Sequence, residues 1–431
     1  MPSVRTRCSA ATRSSASEVG RTMGREPRSI LMLGGSRQQV VAIEAAKRLG
    51  YRTVLCDYLP DNPGQYHADV FYQESTTDRE LMLRIAEREG VSGVLAYASD
   101  PAALTCAYVA ERLGLPTNPL AAVEVLSEKH LFRRHLHEQG FPCPRSTSVP
   151  ASSSAADVAR AAEGMNLPVV LKPTDSSGSK GVSVLESLGS VALEGALEAA
   201  RGFSRNGILE LEEYISYGFP RVVGGDVFVV DGRVTFWGLM SCLRDEELGG
   251  LVPVGEIYPS GLSREQDTAV REQVQALVSS LGIRFGEFNV EVIVGPDGVP
   301  YFLELGARAG GNMIPVQLSD ISGIDLVEAN VRCAMGDASL DVSFDASDAV
   351  IATYVLHART DGVYRGTRLD PLIERHVYRE VTYVEPGQSV ERFDGANKAI
   401  GILFLRFDTE EQMHDLLARA NELIVPIVET A

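Results

Sequence analysis

The sequence predicts a multidomain protein of mixed α/β and α+β class, on three observations. Short apolar strands alternate with helical patterns in the first part of the chain, antiparallel hairpin signals follow one another in the middle, and mixed strands with a helix close it. At 431 residues the chain also exceeds the size at which one hydrophobic core usually stops growing, so two or three domains are expected.

Residues 1–27 stand apart. They are rich in Arg and Ser, carry no apolar periodicity and lack the hydrophobic segment of a secretory signal. A disordered tail is the expectation, an organelle transit peptide the alternative, and Met23 a second candidate start.

The region 28–126 reads as an α/β domain. Ser29–Leu33 has the composition of a buried strand, Gly34-Gly35-Ser36 forms a tight loop, and 38–49 has the apolar spacing of a helix. A second strand over 53–56 ends in Asp57. A helix over 81–89, a strand over 91–96 and a helix over 102–113, closed by Gly114, complete the rhythm of a parallel sheet covered by helices. The full GxGxxG pattern is missing, which argues against a nicotinamide site. Asp57 and Asp100 follow strands, where crevice ligands are held, and read equally well as helix caps.

The pattern changes over 127–344. A Lys- and Arg-rich helix over 128–139 leads through a Ser-rich connection into an apolar strand ending at Lys172-Pro173. The stretch 174–181, full of Gly and Ser, predicts a hairpin loop built to approach a ligand. A helix near 191–201 precedes a strand over 208–215, and Asp231-Gly232 joins strands 227–230 and 234–239 in a short hairpin. A further hairpin runs over 288–294, turns at Pro296-Asp297-Gly298 and returns over 301–305. A smaller domain over 345–431 alternates strand-like runs, 350–356 and 399–407, with a helix near 410–420.

Composition narrows the function classes. A chain 45% hydrophobic and 23% charged is globular rather than disordered, and a net charge of -18 gives no support to a nucleic-acid or anionic-membrane partner. No apolar run nears the roughly 20 residues of a membrane span. Cys8, Cys56, Cys106, Cys143, Cys242 and Cys333 show neither CxxC pairs nor a disulfide framework, so a reduced, cytoplasmic location is expected. His357 and His376 read as structural or surface residues, and no Ser-His-Asp or Cys-His pattern stands out.

Three groups of residues are suited to chemistry. Lys172 ends a buried strand beside a loop of unhindered backbone N–H groups, an arrangement that holds phosphoryl oxygens; a snorkelling lysine on a surface hairpin is the alternative. No Walker-type GxxxxGK[ST] loop is present. Glu291 and Glu304 lie on the two strands of one hairpin among apolar neighbours, where an unpaired carboxylate is expensive. Facing each other, they would suit Mg²⁺; otherwise both face solvent. Arg308 falls in a glycine-rich segment, 306–312, directly after the acidic strand end, either an ordinary turn or a loop that places a guanidinium over an anion. Arg244, Glu256 and Tyr258 are weaker candidates for lining an acceptor pocket.

Together these residues resemble the ATP-grasp superfamily of carboxylate–amine or carboxylate–thiol ligases, most of all its branch of L-amino-acid ligases and carbamoyl-phosphate-synthase-like proteins. The resemblance covers nearly everything after the tail. It implies an ATP-grasp fold with a Rossmann-like pre-ATP-grasp domain and a small C-terminal α+β domain.

By that resemblance Lys129 and Lys172 are nucleotide lysines, and Ser176, Ser177, Gly178, Lys180 and Gly181 belong to a mobile loop over the phosphates. Glu210, Glu212, Glu213, Tyr214 and Ile215 resemble the hinge, whose backbone reads adenine and whose acidic side chain, Glu212 or its neighbour Glu213, accepts from ribose hydroxyls. Glu291 and Glu304 resemble paired magnesium ligands. Arg308, with Lys172, resembles the catalytic pair acting on the transferred phosphoryl group. The family signature ends Glu-x-Asn-x-Arg, but Gly306 stands here in place of the asparagine, so a water or Asn312 is expected to complete the metal's coordination.

The implied activity is ADP-forming ligation of an amino acid or small carboxylic acid to an amine through an acyl phosphate, with ATP and Mg²⁺, or Mn²⁺ in its place. Small carboxylates and amines are the implied partners, and a homodimer is compatible with the resemblance. Two other readings stay open: a regulatory ATP-binding protein without turnover, for which Gly306 speaks, and an ATP-grasp enzyme using bicarbonate, ammonia or a thiol.

Overall fold

The computed structural model describes residues 27–176, 179–215, 222–245, 247, 252–337 and 339–430. The expectations for the tail and for Ser177 and Gly178 lie outside the described residues.

The chain begins with β1 (Ser29–Leu33), α1 (Val40–Arg48), β2 (Arg52–Asp57), β3 (Val70–Gln73), α2 (Arg79–Glu89), β4 (Val91–Leu95) and α3 (Asp100–Leu113). The strands form a parallel sheet in the order β3-β2-β1-β4. β1 is apolar throughout because both its faces are covered: Ile30 and Met32 pack with Ile43 of α1, Leu31 and Leu33 with Met82 and Ile85 of α2. β3 carries no clear sequence signal, since it is a half-exposed edge strand paired only with β2. The strand order reverses between β1 and β4, so Gly34, Asp57 and Asp100 border one crevice beyond the strand ends.

Next come α4 (Leu120–Ser127), α5 (Lys129–Glu138), β5 (Ser146–Pro150), α6 (Ala155–Ala161), β6 (Val169–Pro173), β7 (Ser183–Leu185), α7 (Ser190–Arg201) and β8 (Ile208–Glu213). Here the sheet is antiparallel, in the order β5-β8-β6-β7. Leu209 and Leu211 of β8 pack with Leu193, Ala196 and Leu197 of α7. Strand alternation therefore puts Glu210 and Glu212 on the opposite face.

The remainder comprises β9 (Val223–Val230), β10 (Arg233–Arg244), β11 (Pro253–Tyr258), α8 (Arg264–Ser280), β12 (Gly286–Val294), β13 (Pro300–Gly306), α9 (Ile314–Ser322), α10 (Leu326–Ala334), β14 (Ile351–Leu356), β15 (Gly362–Leu369), α11 (Pro371–Glu374), β16 (Val377–Thr382), β17 (Ser389–Val390), β18 (Gly401–Arg406), α12 (Glu410–Leu417), α13 (Ala420–Leu423) and β19 (Ile424–Glu429). Eight of its strands make one sheet, β13-β12-β9-β10-β11-β14-β18-β16, and three make a small one, β17-β15-β19. The large sheet runs across the boundary expected at 345, because β14 pairs with β11 through Ile257↔Ala352 and Tyr258↔Ile351. Among the described residues no helix is long and apolar enough to cross a membrane.

Candidate functional site

A cleft lies between the inner face of the β5–β8 sheet and strands β9–β13. Lys129, Lys172, Ser176, Lys180, Glu212, Glu213, Tyr214, Ile215, Arg244, Glu291 and Glu304 line its first cavity. A second cavity reaches to the crevice of the parallel sheet and is bordered by Gln38, Asp57, Asp100, Cys242, Glu256, Asn289, Arg308 and Asn312. Pro253 and Glu291 border both. A third space, lined by Asp100, Lys129, Ser176 and Glu304, lies alongside.

Lys172 projects from the end of β6 toward Glu212 of β8, and its Nζ donates to Glu212 Oε1. The other oxygen of Glu212 accepts from Arg133 Nε of α5 at 2.9 Å, while Arg133 Nη2 donates to the Leu303 carbonyl at 3.1 Å. All three side chains are buried. Burial lowers the Lys172 ammonium to about 8 against the pull of Glu212. Burial opposes the Glu212 charge as well, but Arg133 and Lys172 overcome it and bring that carboxyl down to about 2. Glu212 is thus a strut between two cations at the cavity wall. Arg133 was not anticipated, although Lys129 and Arg133 stand four apart on one helix face, which is a readable signal.

The acidic pair is assembled by a hairpin. Glu291 of β12 and Glu304 of β13 are direct partners in the antiparallel register. Partial burial and the Glu304 charge opposite it hold the Glu291 carboxyl above its usual range. Lys129 offsets part of that charge: its Nζ lies 3.4 Å from Glu304 Oε2 and donates to the Ser176 carbonyl at 2.7 Å. Two carboxylates held face to face against mutual repulsion fit a hard divalent cation, which removes the repulsion.

Arg308 is fixed by a residue of the parallel sheet. Its Nε and Nη2 donate to Asp100 Oδ1 and Oδ2 at 2.6 and 2.8 Å, a two-pronged pair with little exposure at the arginine. Asp100 stands in the first turn of α3, where the helix dipole favours a carboxylate, and Arg308 holds it below its usual range in spite of its burial. Asp100 is therefore a partner of Arg308, whereas Asp57 accepts from the backbone N–H groups of Gly35 and Leu59 and shapes its own loop. A Cβ at Gly306 would lie 3.3 Å from Arg308 Cζ, so a side chain there would need the guanidinium to give by a few tenths of an ångström. Asn312 borders the second cavity together with Glu291, and its backbone N–H donates to Gln38 at 3.0 Å.

Other expectations divide. Tyr214 and Ile215 line the first cavity, with Glu213 at its edge accepting from Asn166 N and Nδ2 at 2.8 and 3.1 Å. Glu210 shares the strand face of Glu212 but is buried, accepts from Ser148 Oγ and does not line the cavity. Lys180 lines the cavity, and Gly181 follows it with φ at 73°. Of the three candidates for an acceptor pocket, Arg244 lines the first cavity and Glu256 the second. Tyr258 lines neither, because its hydroxyl is engaged with the backbone of Ser347. His357 is buried against Asp245, and His376 stacks on Phe407.

A parallel α/β sheet leading into two antiparallel sheets that face each other across a charged cleft defines the ATP-grasp class of ligases. The family described as carbamoyl-phosphate synthase L chain, ATP binding domain, matches residues 128–341. A formate-dependent phosphoribosylglycinamide formyltransferase from a Synechococcus species is 32% identical, over 72% of this chain and 77% of its own length. Human carnosine synthase 1 is 26% identical over 72% of this chain, which spans 40% of that protein. In fold, the L-amino acid ligase of Bacillus licheniformis superposes with a TM-score of 0.77 at 18% identity, covering 94% of this chain and all of the other. The chain belongs to the ATP-grasp superfamily of ligases.

Proposed function

We propose that the protein is an ADP-forming ligase that joins the carboxylate of an amino acid or small acid to an amine, related in activity to the L-amino-acid ligases. The observation that carries this reading is the facing Glu291–Glu304 pair at the wall of a cleft holding Lys129, Lys172 and the anchored Arg308.

In this reading Lys172 and Lys129 bind phosphoryl oxygens of ATP, and the backbone of Tyr214 and Ile215 meets the base. Glu291 and Glu304 would hold magnesium, which would supply positive charge that offsets the charge on the phosphates. A carboxylate oxygen of the acid attacks the γ-phosphorus and ADP leaves, giving an acyl phosphate. The amine then attacks the acyl carbon and expels phosphate. Arg308 is directed at the transferred phosphoryl group, and its anchoring by Asp100 means little reorganisation is needed at the moment of transfer. The loop around Ser176 and Lys180 would close over the site and exclude water. A cytoplasmic location and a homodimer belong to the same proposal. A regulatory reading rests on Gly306 alone.

An ATP-consumption screen of paired amino acids, small acids and amines, with mass spectrometry of products, tests the proposal. ADP release that needs both substrates, with a product of condensed mass, supports it; nucleotide binding without turnover across a broad panel rejects it. A pH effect is also expected. Lys172 titrates near 8, below the usual lysine range, so its positive charge is lost as pH rises through that value. ATP affinity measured by calorimetry should fall between pH 7 and 9, and Lys172→Met should flatten that dependence.

A further inference from the structure

We infer that Glu287 is a positioning residue for Arg308: it stays a neutral acid, shares its proton with Asp226, and so lets Asp226 seat the turn that carries the guanidinium. What this does for Arg308 rests on the ligase reading, whereas the protonation of Glu287 does not.

Asp226 of β9 and Asn289 of β12 are direct partners in the antiparallel register, and Glu287, two residues before Asn289, shares its face of the sheet. Asp226 is fully buried and Glu287 is 4% exposed. Asp226 accepts from Asn289 Nδ2 at 2.9 Å and from the Gly310 backbone N–H at 2.7 Å, while the Asn289 N–H donates to the Arg308 carbonyl at 3.0 Å. The turn that bears Arg308 is thereby tied to the sheet on both sides of Ala309. A Cβ on Gly310 would lie 2.7 Å from Asp226 Oδ1, so glycine is what admits this close approach. Glu287 is bonded to Asp226 and to Asn330, whose Nδ2 donates to Oε2. Its Oε1 is buried and receives no N–H or hydroxyl from the protein.

Two carboxyl groups in contact inside a fold cannot both be ionised unless a cation joins them. The groups facing Glu287 do not supply one. Asp226 faces it from β9, Asn330 and Cys333 from α10, and Tyr97 from the turn after β4. Burial keeps the Cys333 thiol and the Tyr97 hydroxyl neutral. Arg308 acts on both carboxyls from a distance, but its Nε and Nη2 are committed to Asp100. Asp226, with two N–H donors, is the better anion. Glu287, with one amide donor and a bare oxygen, keeps the proton and donates it to Asp226. Burial, and then the Asp226 charge, hold the Glu287 carboxyl well above its usual range, in keeping with that assignment. Ionising Glu287 would set a second negative charge against Asp226 and loosen the turn that directs Arg308.

A proton count tests the state of Glu287. The native acid holds a proton that the unfolded chain has released at neutral pH. Its stabilising effect is therefore full below about pH 4.3 and is lost as pH rises toward the native value. In urea unfolding followed between about pH 6 and 8, the wild type should release about one proton more on unfolding than Glu287→Gln, whose amide cannot titrate. Turnover tests the positioning. With ATP, Mg²⁺ and a substrate pair found by the screen, Glu287→Gln should keep kcat within about threefold, because its amide N–H donates to Asp226 as the acid does. Glu287→Leu removes the donor and should lose at least about tenfold in kcat with KM for ATP little changed. Equal proton counts in wild type and Glu287→Gln, the same loss of kcat in both variants, or full turnover in Glu287→Leu overturns the inference while the ligase reading stands. Should Glu287→Leu fail to fold, the proton count and the Gln variant decide. If the wild type turns over no substrate pair, the ligase reading falls and the role toward Arg308 with it, while the proton count still decides whether Glu287 is neutral.

Discussion

Glu304→Gln is expected to slow ADP formation by about 100-fold or more, equivalent to about 2.7 kcal/mol of transition-state stabilisation. The substitution preserves shape and removes one of two facing negative charges. In the proposed mechanism those charges hold the cation that offsets the phosphates, so the magnesium concentration for half-maximal rate should rise along with the loss in turnover. ATP binding in the absence of metal should suffer less, because Lys129 loses its ion-pair partner but keeps its bond to the Ser176 carbonyl. Near-wild-type turnover with an unchanged magnesium titration would reject the assignment of Glu304.

Glu212→Gln should destabilise the protein by about 3–5 kcal/mol, the usual cost of removing one partner from a buried ion pair. The variant leaves the Lys172 and Arg133 cations buried together, with an amide that cannot balance them. Lys172 would then release its proton below 8, and phosphate binding at neutral pH should weaken too. A double-mutant cycle separates this from ordinary packing loss. Adding Lys172→Met to Glu212→Gln should recover stability in chemical denaturation, since it removes one uncompensated charge. Strictly additive losses would show that the triad is not coupled in the way its geometry implies.

Much of the site was legible because its signals are local. Pro296-Asp297-Gly298 fixes a hairpin, and the hairpin register alone brings Glu291 opposite Glu304. Strand alternation likewise predicts that Lys172 and its neighbours split between a core face and a cleft face. What the sequence does not disclose has equally physical causes. Glu210 and Glu212 share a face by periodicity, yet Ser148 captures one and Lys172 with Arg133 the other, which periodicity cannot foresee. The strand β5 hides in a Ser-rich segment because pairing with β8, rather than its own composition, makes it a strand. The 17-residue helix α8 went unread, although Val270, Val274 and Leu277 trace its buried face and Ser263 with Gln266 caps it.

The sequence by itself determined the fold class, the parallel and antiparallel halves, and the residues eligible for phosphate and metal binding. These follow from apolar period, turn chemistry and residue type, which act over a few positions. Only the tertiary structure decided which charges are paired. Arg308 meets Asp100 across 208 residues, Arg133 meets Glu212 across 79, and Glu256 is left with an oxygen unpaired beside the second cavity. The physical reason is that the energy of a buried charge depends on what the whole fold brings within hydrogen-bond reach, and chain spacing carries no record of that.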